Sequence, residues 1–152
     1  MKGSRPLVAS LALLAILGAA QLVPVDRSNP AVESDVAAPA EVKAILRRAC
    51  YDCHSHETVY GWHTRIAPVS WLVAHDVEEG REKMNLSRWS TLDAKRLAKL
   101  REELPEEVAE GEMPPWSYRL AHPEARLSGA DRAALEAWGR SLGGGETPAS
   151  QR

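Results

Sequence analysis

Residues Cys50-Tyr51-Asp52-Cys53-His54 constrain this chain more than any other stretch: they use both of its cysteines and set a histidine directly after the second. Two thiols separated by two residues, with an imidazole following, form the C-x-x-C-H pattern of a c-type haem attachment site. The spacing suits the chemistry. Each thiol adds across one vinyl group of a porphyrin, both thioethers form along one edge, and His54 comes to lie under the ring as the proximal iron ligand. Covalent capture spares the fold a deep cage, so a small domain can keep the group.

Three other uses of the pair fit less well. Structural zinc wants four ligands, usually from a second pair at matching spacing, and the chain has no second C-x-x-C or H-x(3-5)-H with thiol partners. A thioredoxin-like redox pair belongs at a strand end within a βαβ pattern, which this sequence does not show. A plain disulfide would leave His54 a coincidence.

The segment before the motif points to export. Lys2 and Arg5 precede an apolar run from Leu7 to Val23, and Gly18-Ala19-Ala20 offers small residues for cleavage. As a helix the run spans about 26 Å, just short of a hydrocarbon core of about 30 Å. A cleaved signal and an uncleaved anchor both fit, and in either case the remainder of the chain is exported. Of the 152 residues, roughly a hundred then remain for one domain with one core. A net charge of -2 argues against nucleic acid as a partner, which would need a clustered basic excess. Phenylalanine is absent while tryptophan occurs five times; flat side chains suit a porphyrin wall, and a small core uses them equally well.

In chain order, residues 25–38 mix Pro, Asp, Ser, Asn and Val without a period and read as a linker leading away from the membrane. From Ala40 to Ala49, Val42, Ile45, Leu46 and Ala49 form one helical stripe that delivers Cys50 at its end, with Glu41 in the first turn and Arg47 and Arg48 in the last. A polar and aromatic loop then runs to Pro68. Ser70 is a candidate cap for a helix to about Met84, with Trp71, Leu72, His75 and Val77 inward. Asn85 to Ser87 form a turn that Trp89 anchors. Ser90 and Asp93 resemble a capping box for a helix ending near Leu104, and Pro105 opens a short further helix, Glu106 to Glu110, that Gly111 closes. Met113 is then held on a loop stiffened by Pro114 and Pro115. Tyr118 to Arg126 looks irregular. Ser128 and Asp131 cap a last helix bearing Ala134, Leu135, Trp138 and Leu142. No strand pattern is present, so the fold class is all-α, with four to five short helices. The expected division is a signal peptide or membrane anchor over 1–24, a linker over 25–38, one domain over 39–143 and a disordered tail over 144–152.

A helix leading into C-x-x-C-H, a later methionine followed by proline, and a last helix opening Leu127-Ser128 with a tryptophan in its middle resemble cytochrome c. More narrowly, the chain resembles the bacterial haem-binding domain family of small exported mono-haem proteins. The matching stretches are Arg27 to Pro30, Cys50 to Ser55, Ile66 to Trp71, Glu79-Gly80-Arg81, Asn85 to Trp89, Gly111 to Pro114 and His122. They cover Pro24 to about Leu142. Where family members often carry a Y/W-P-W-Y stretch, this chain has Tyr60-Gly61-Trp62-His63. The resemblance implies a cytochrome c-like bundle around one covalent haem c, with its first and last helices crossing so that Leu46 and Ala49 meet Leu135 and Trp138. It also makes Met113 the candidate distal iron ligand; the alternative is His75, read from its inward place beside Trp71 on the helix.

Other pocket candidates are Arg65 and Arg81, whose guanidinium groups suit haem propionates, and Trp71 and Trp116 as walls. The resulting expectation is a periplasmic or membrane-tethered electron carrier, with redox proteins and the haem c maturation machinery as partners and residues 7–23 as the tether. A haem-based redox or gas sensor needs a weak or absent distal bond. A small peroxidase, the one enzymatic alternative, needs an open iron and a distal acid–base pair.

Overall fold

The computed structural model describes residues 4–143, so the tail expected over 144–152 and the first three residues of the export segment lie outside the described residues. Among the described residues the chain is all-helical. The helices are α1 (Ser4–Ala20), α2 (Ala40–Ala49), α3 (Tyr51–His54), α4 (Val69–Lys83), α5 (Ala94–Glu110), α6 (Trp116–Ala121) and α7 (Gly129–Ser141). Short 3-10 turns lie at Trp62–Arg65, Trp89–Thr91 and Pro123–Ala125. A single isolated bridge pairs Ser34 with Arg88. The domain thus holds two more helices than the sequence predicts as a minimum, because α3 and α6 are too short to show a period.

α2 buries the stripe its spacing predicts, Val42, Ile45, Leu46 and Ala49, and packs on α7. Leu46, Leu135 and Trp138 share one core cluster with Val36, Leu86, Leu100 and Leu104. Burying each of these aliphatic side chains contributes roughly 1.5–3 kcal/mol against the entropy of ordering the chain. α7 starts on the expected capping box, with Ser128 Oγ accepting from the Asp131 N–H and the Asp131 carboxylate accepting from the Ser128 N–H. Trp89 stacks on Trp138 with ring centroids 5.6 Å apart, which is how it anchors its turn.

Three local expectations need correction. α5 does not end near Leu104 but runs unbroken through Pro105 to Glu110. A proline inside a helix costs about 3 kcal/mol, yet Leu100, Leu104, Pro105 and Val108 all lie buried on the continuing face, and Gly139 of α7 leaves room for the pyrrolidine ring: a Cβ there would stand 3.0 Å from Pro105 Cγ. The cap of α5 is Asp93, whose side chain accepts from the Arg96 N–H, while Ser90 is instead bonded to Ser34. Lastly, α4 starts at Val69 with Ser70 buried inside its first turn, and its inward face is Ser70, Val77 and Gly80 rather than Trp71, Leu72 and His75. Close approach decides this rotation. A Cβ on Gly80 would lie 2.7 Å from the Cys53 carbonyl oxygen, so α4 presents its small residues to α3 and turns its bulky ones out.

Residues 25–38 are extended, as their lack of period predicts, but they lie along the domain as a strap. Glu33 and Ser34 donate their N–H groups to the Ser87 carbonyl, Val36 is buried in the core, and Asp35 accepts from Tyr51 Oη at 2.6 Å and from Lys43 Nζ at 2.7 Å. Ahead of the strap, α1 exposes its leucines and meets the domain through Gln21. The Gln21 side chain accepts from the Ala67 N–H at 2.9 Å and donates to the Ala67 carbonyl at 3.3 Å. No helix among the described residues is long and apolar enough to cross a membrane.

Candidate functional site

Cys50 closes α2, its N–H donating to the Leu46 carbonyl. The chain then makes one further turn, α3, in which the N–H groups of Cys53 and His54 both donate to the Cys50 carbonyl. One turn separates residues three apart onto the same side of a helix, so both thiols face one way. The turn is tied from below: Ser55 Oγ donates to the Tyr51 carbonyl, and the Asp52 carboxylate accepts from the Val59 N–H and from Tyr118 Oη at 2.8 Å.

His54 is oriented by α4. Its Nδ1 lies 2.8 Å from the Gly80 carbonyl and 3.1 Å from the Met84 carbonyl. Two acceptors there assign the proton to Nδ1 and leave the lone pair on Nε2, the second-atom arrangement that fixes a metal-binding imidazole. Burial lowers the pKa of His54, opposed by the carbonyls of Met84 and Gly80; the neutral ring is the form a metal needs.

Cys50, Cys53 and His54 open into a cleft of about 290 Å³ between α4 and α5, with Leu46, Leu100, Leu104, Val108 and Leu135 as its apolar floor. Met113 reaches the same cleft. Gly111 ends α5 in the left-handed region at φ 80°, and the N–H groups of Glu112 and Met113 both donate to the Glu107 carbonyl. This closure turns the chain back over the helix end. Arg132 of α7 braces it, donating to the Val108 carbonyl at 3.0 Å.

Burial pushes the Cys50 thiol up to about 12, helped by the proximity of Cys53, and burial with Asp76 and Asp52 does the same to Cys53. Both are therefore protonated at neutral pH, unlike thiolates bound to zinc. No group of three or more His, Cys, Asp or Glu side chains among the described residues is placed to hold a metal ion by itself. An apolar slot with two thiols on one wall, a free imidazole nitrogen and a thioether suits a flat organic group that brings its own metal.

The other residues singled out from sequence lie elsewhere. Arg81 points away from the cleft and ties the motif to the strap, donating to the carbonyls of Ser55 and Ser28, to Asn29 Oδ1 and to Thr58 Oγ1. Arg65 is exposed in a 3-10 turn. Trp71 lies on the outer side of α4, and Trp116 is 74% exposed. The His75 side chain is 69% exposed and faces Glu79 at 3.7 Å. None of these five lines the cleft. The cations that do are Lys83, Arg96 and Lys99. Sequence reasoning also missed Tyr118, which lines the cleft from α6. Its only signal was an aromatic residue just past the Pro114-Pro115 pair, in a helix too short to show a stripe.

The sequence profile of the haem-binding domain family matches residues 15–141. The chain belongs to that family. A search of curated proteins and one of solved structures each found no match. As a haem-binding domain, the chain has in its α4–α5 cleft the place where, among the described residues, thiols, an unpaired imidazole nitrogen and an apolar floor meet. Residues that would hold the haem there are Cys50, Cys53 and His54 from one side and Met113 from the α5–α6 loop; the lining cations Lys83, Lys99 and Arg96 are engaged by Glu79, Glu103 and the Glu82 carbonyl.

Proposed function

We propose that this chain is an exported mono-haem c-type protein that carries single electrons in the periplasm. In this reading Cys50 and Cys53 hold the haem through thioether bonds, and His54 and Met113 bind its iron. When bound, haem held by these residues would supply a one-electron couple, whose potential a methionine paired with a histidine would raise. The protein's part would be to fix the two ligating side chains. His54 is fixed by α4 through two carbonyls, and Met113 by the closure of α5.

The observation that carries this reading is the convergence of Cys50, Cys53, His54 and Met113 on one cleft. Met84 also lines it, but its carbonyl accepts from His54, which puts its backbone on the histidine side. A peroxidase would need a distal acid–base pair, and His54 is the one histidine on the cleft wall among the described residues. Export through residues 1–24, tethering through residues 7–23 where they are retained, and dependence on haem c maturation machinery complete the proposal, with redox proteins as partners.

The test is an absorption spectrum of protein matured with haem c, wild type beside Met113→Ala. Wild type is expected to show the weak far-red methionine-to-iron band and to bind carbon monoxide slowly or not at all; the variant loses the band and binds the gas readily. Wild type without that band overturns methionine ligation and favours a sensor with an open position.

A further inference from the structure

Exposed large apolar side chains are not spread over this molecule. Beyond α1, eleven occur among the described residues, and six of them fall between Val59 and Leu72: Val59, Trp62, Ile66, Val69, Trp71 and Leu72. Trp62 is 76% exposed and Leu72 52%. Two more, Leu22 and Val23, directly follow α1, and Gln21 binds both the N–H and the carbonyl of Ala67 in the middle of the stretch. The end of α1 is therefore fastened beside the patch. Scattered exposed apolar residues are ordinary; a contiguous group of this kind marks a contact.

Charge narrows the choice of partner. The chain carries 21 acidic residues, yet none lies between Thr58 and His75 and none before Asp26. The same stretch holds Arg65, His63 and His75. Two tryptophans and one arginine, Arg65, without acids make up a composition that suits the headgroup depth of a bilayer. Moreover, α1 has 17 residues, about 26 Å of helix and just short of a hydrocarbon core of about 30 Å, so with α1 held in the bilayer as a tether the part of the domain fastened to its end would be drawn against the lipid interface.

We propose that Trp62–Leu72 is a second membrane contact, lying in the headgroup layer beside α1 and fixing the orientation of the domain on the bilayer. This rests on the reading of α1 as a retained tether. The haem cleft lies between α4 and α5, while the patch lies at the start of α4, so such a contact sets which way the cleft mouth faces.

The experiment uses the full haem-loaded chain in vesicles of phosphatidylethanolamine and phosphatidylglycerol, with and without a brominated phosphatidylcholine, reading flotation and tryptophan emission. Bromine is expected to quench the wild type, the Trp62→Tyr/Trp71→Tyr variant to lose most of that quenching while floating normally with an unchanged haem spectrum, and Trp116→Tyr to keep it. Flotation without quenching, or quenching that survives in the double variant, overturns the contact but leaves the tether standing. Flotation without quenching accompanied by a cross-linked dimer overturns it in favour of a second copy on the patch. A chain that does not float overturns the tether and the contact with it.

Discussion

Gly80 has no side chain because Cys53 leaves no room for one. A methyl group there would meet the Cys53 carbonyl oxygen at 2.7 Å and its carbon at 3.0 Å, and both are backbone atoms that cannot swing aside. Gly80→Ala is therefore expected to push α4 off α3, lengthen the bond between the Gly80 carbonyl and His54, and cost about 1–3 kcal/mol as overpacking does. Denaturant melting and the yield of haem-loaded protein check it; unchanged values in both would mean that α4 adapts without moving His54. Arg81, next along, makes four hydrogen bonds that join the motif to the strap. Hydrogen bonds to a charged group are worth roughly 1.5–3 kcal/mol each net of the water they replace, and less where they are exposed. Arg81→Met should lower the melting temperature while leaving the iron's axial band in place, and a lost band would assign Arg81 to the site itself.

Between elements, α2 and α7 are joined by Arg48 Nη2 and Asp131 at 2.6 Å, the same carboxylate that caps α7. The hydrogen bond from Arg48, then those from Ser128, lower the Asp131 pKa from 3.8 to about 2. Since the folded value is the lower, the unfolded chain binds the proton more readily. The contribution is whole above pH 3.8 and is lost as pH falls towards about 2. Asp131→Asn should flatten that part of the stability curve, measured by denaturant melts at stepped pH, and should lower stability at neutral pH through the lost ion pair. Legible in the sequence at this scale were the helices with a period and a cap: α2 by its stripe and α7 by Ser128 and Asp131. Hidden was any feature decided by a partner. The rotation of α4 is set by Gly80 against Cys53, and the passage of α5 through Pro105 by Gly139; neither pair is visible from one helix alone. The same limit separates the site residues. Cys50, Cys53 and His54 are local in sequence and were legible as a unit, whereas Arg65, Arg81, Trp71 and Trp116 were chosen for side-chain type, with no means of knowing which way each faces.

For the whole molecule, the strap changes what counts as the domain. Residues 25–38 look like a linker by composition, yet Val36 is 1% exposed and the Ala31 carbonyl lies 2.8 Å from the Nδ1 of His56. A protease that cuts after glutamate should leave Glu33 intact until the domain unfolds; rapid cutting there in native protein would restore the linker. Strap, motif and α4 form one tied body around His54, and the core of α2, α5 and α7 closes the cleft floor beneath it. The central claim is that Cys50 and Cys53 carry a porphyrin through sulfur, and the mass of the denatured polypeptide, exported from cells equipped to mature haem c, tests it most directly. The account predicts the mass of the chain plus one haem, retained after acid and organic solvent and abolished in Cys50→Ala/Cys53→Ala. A bare polypeptide mass, with both thiols free or joined to each other, would contradict it.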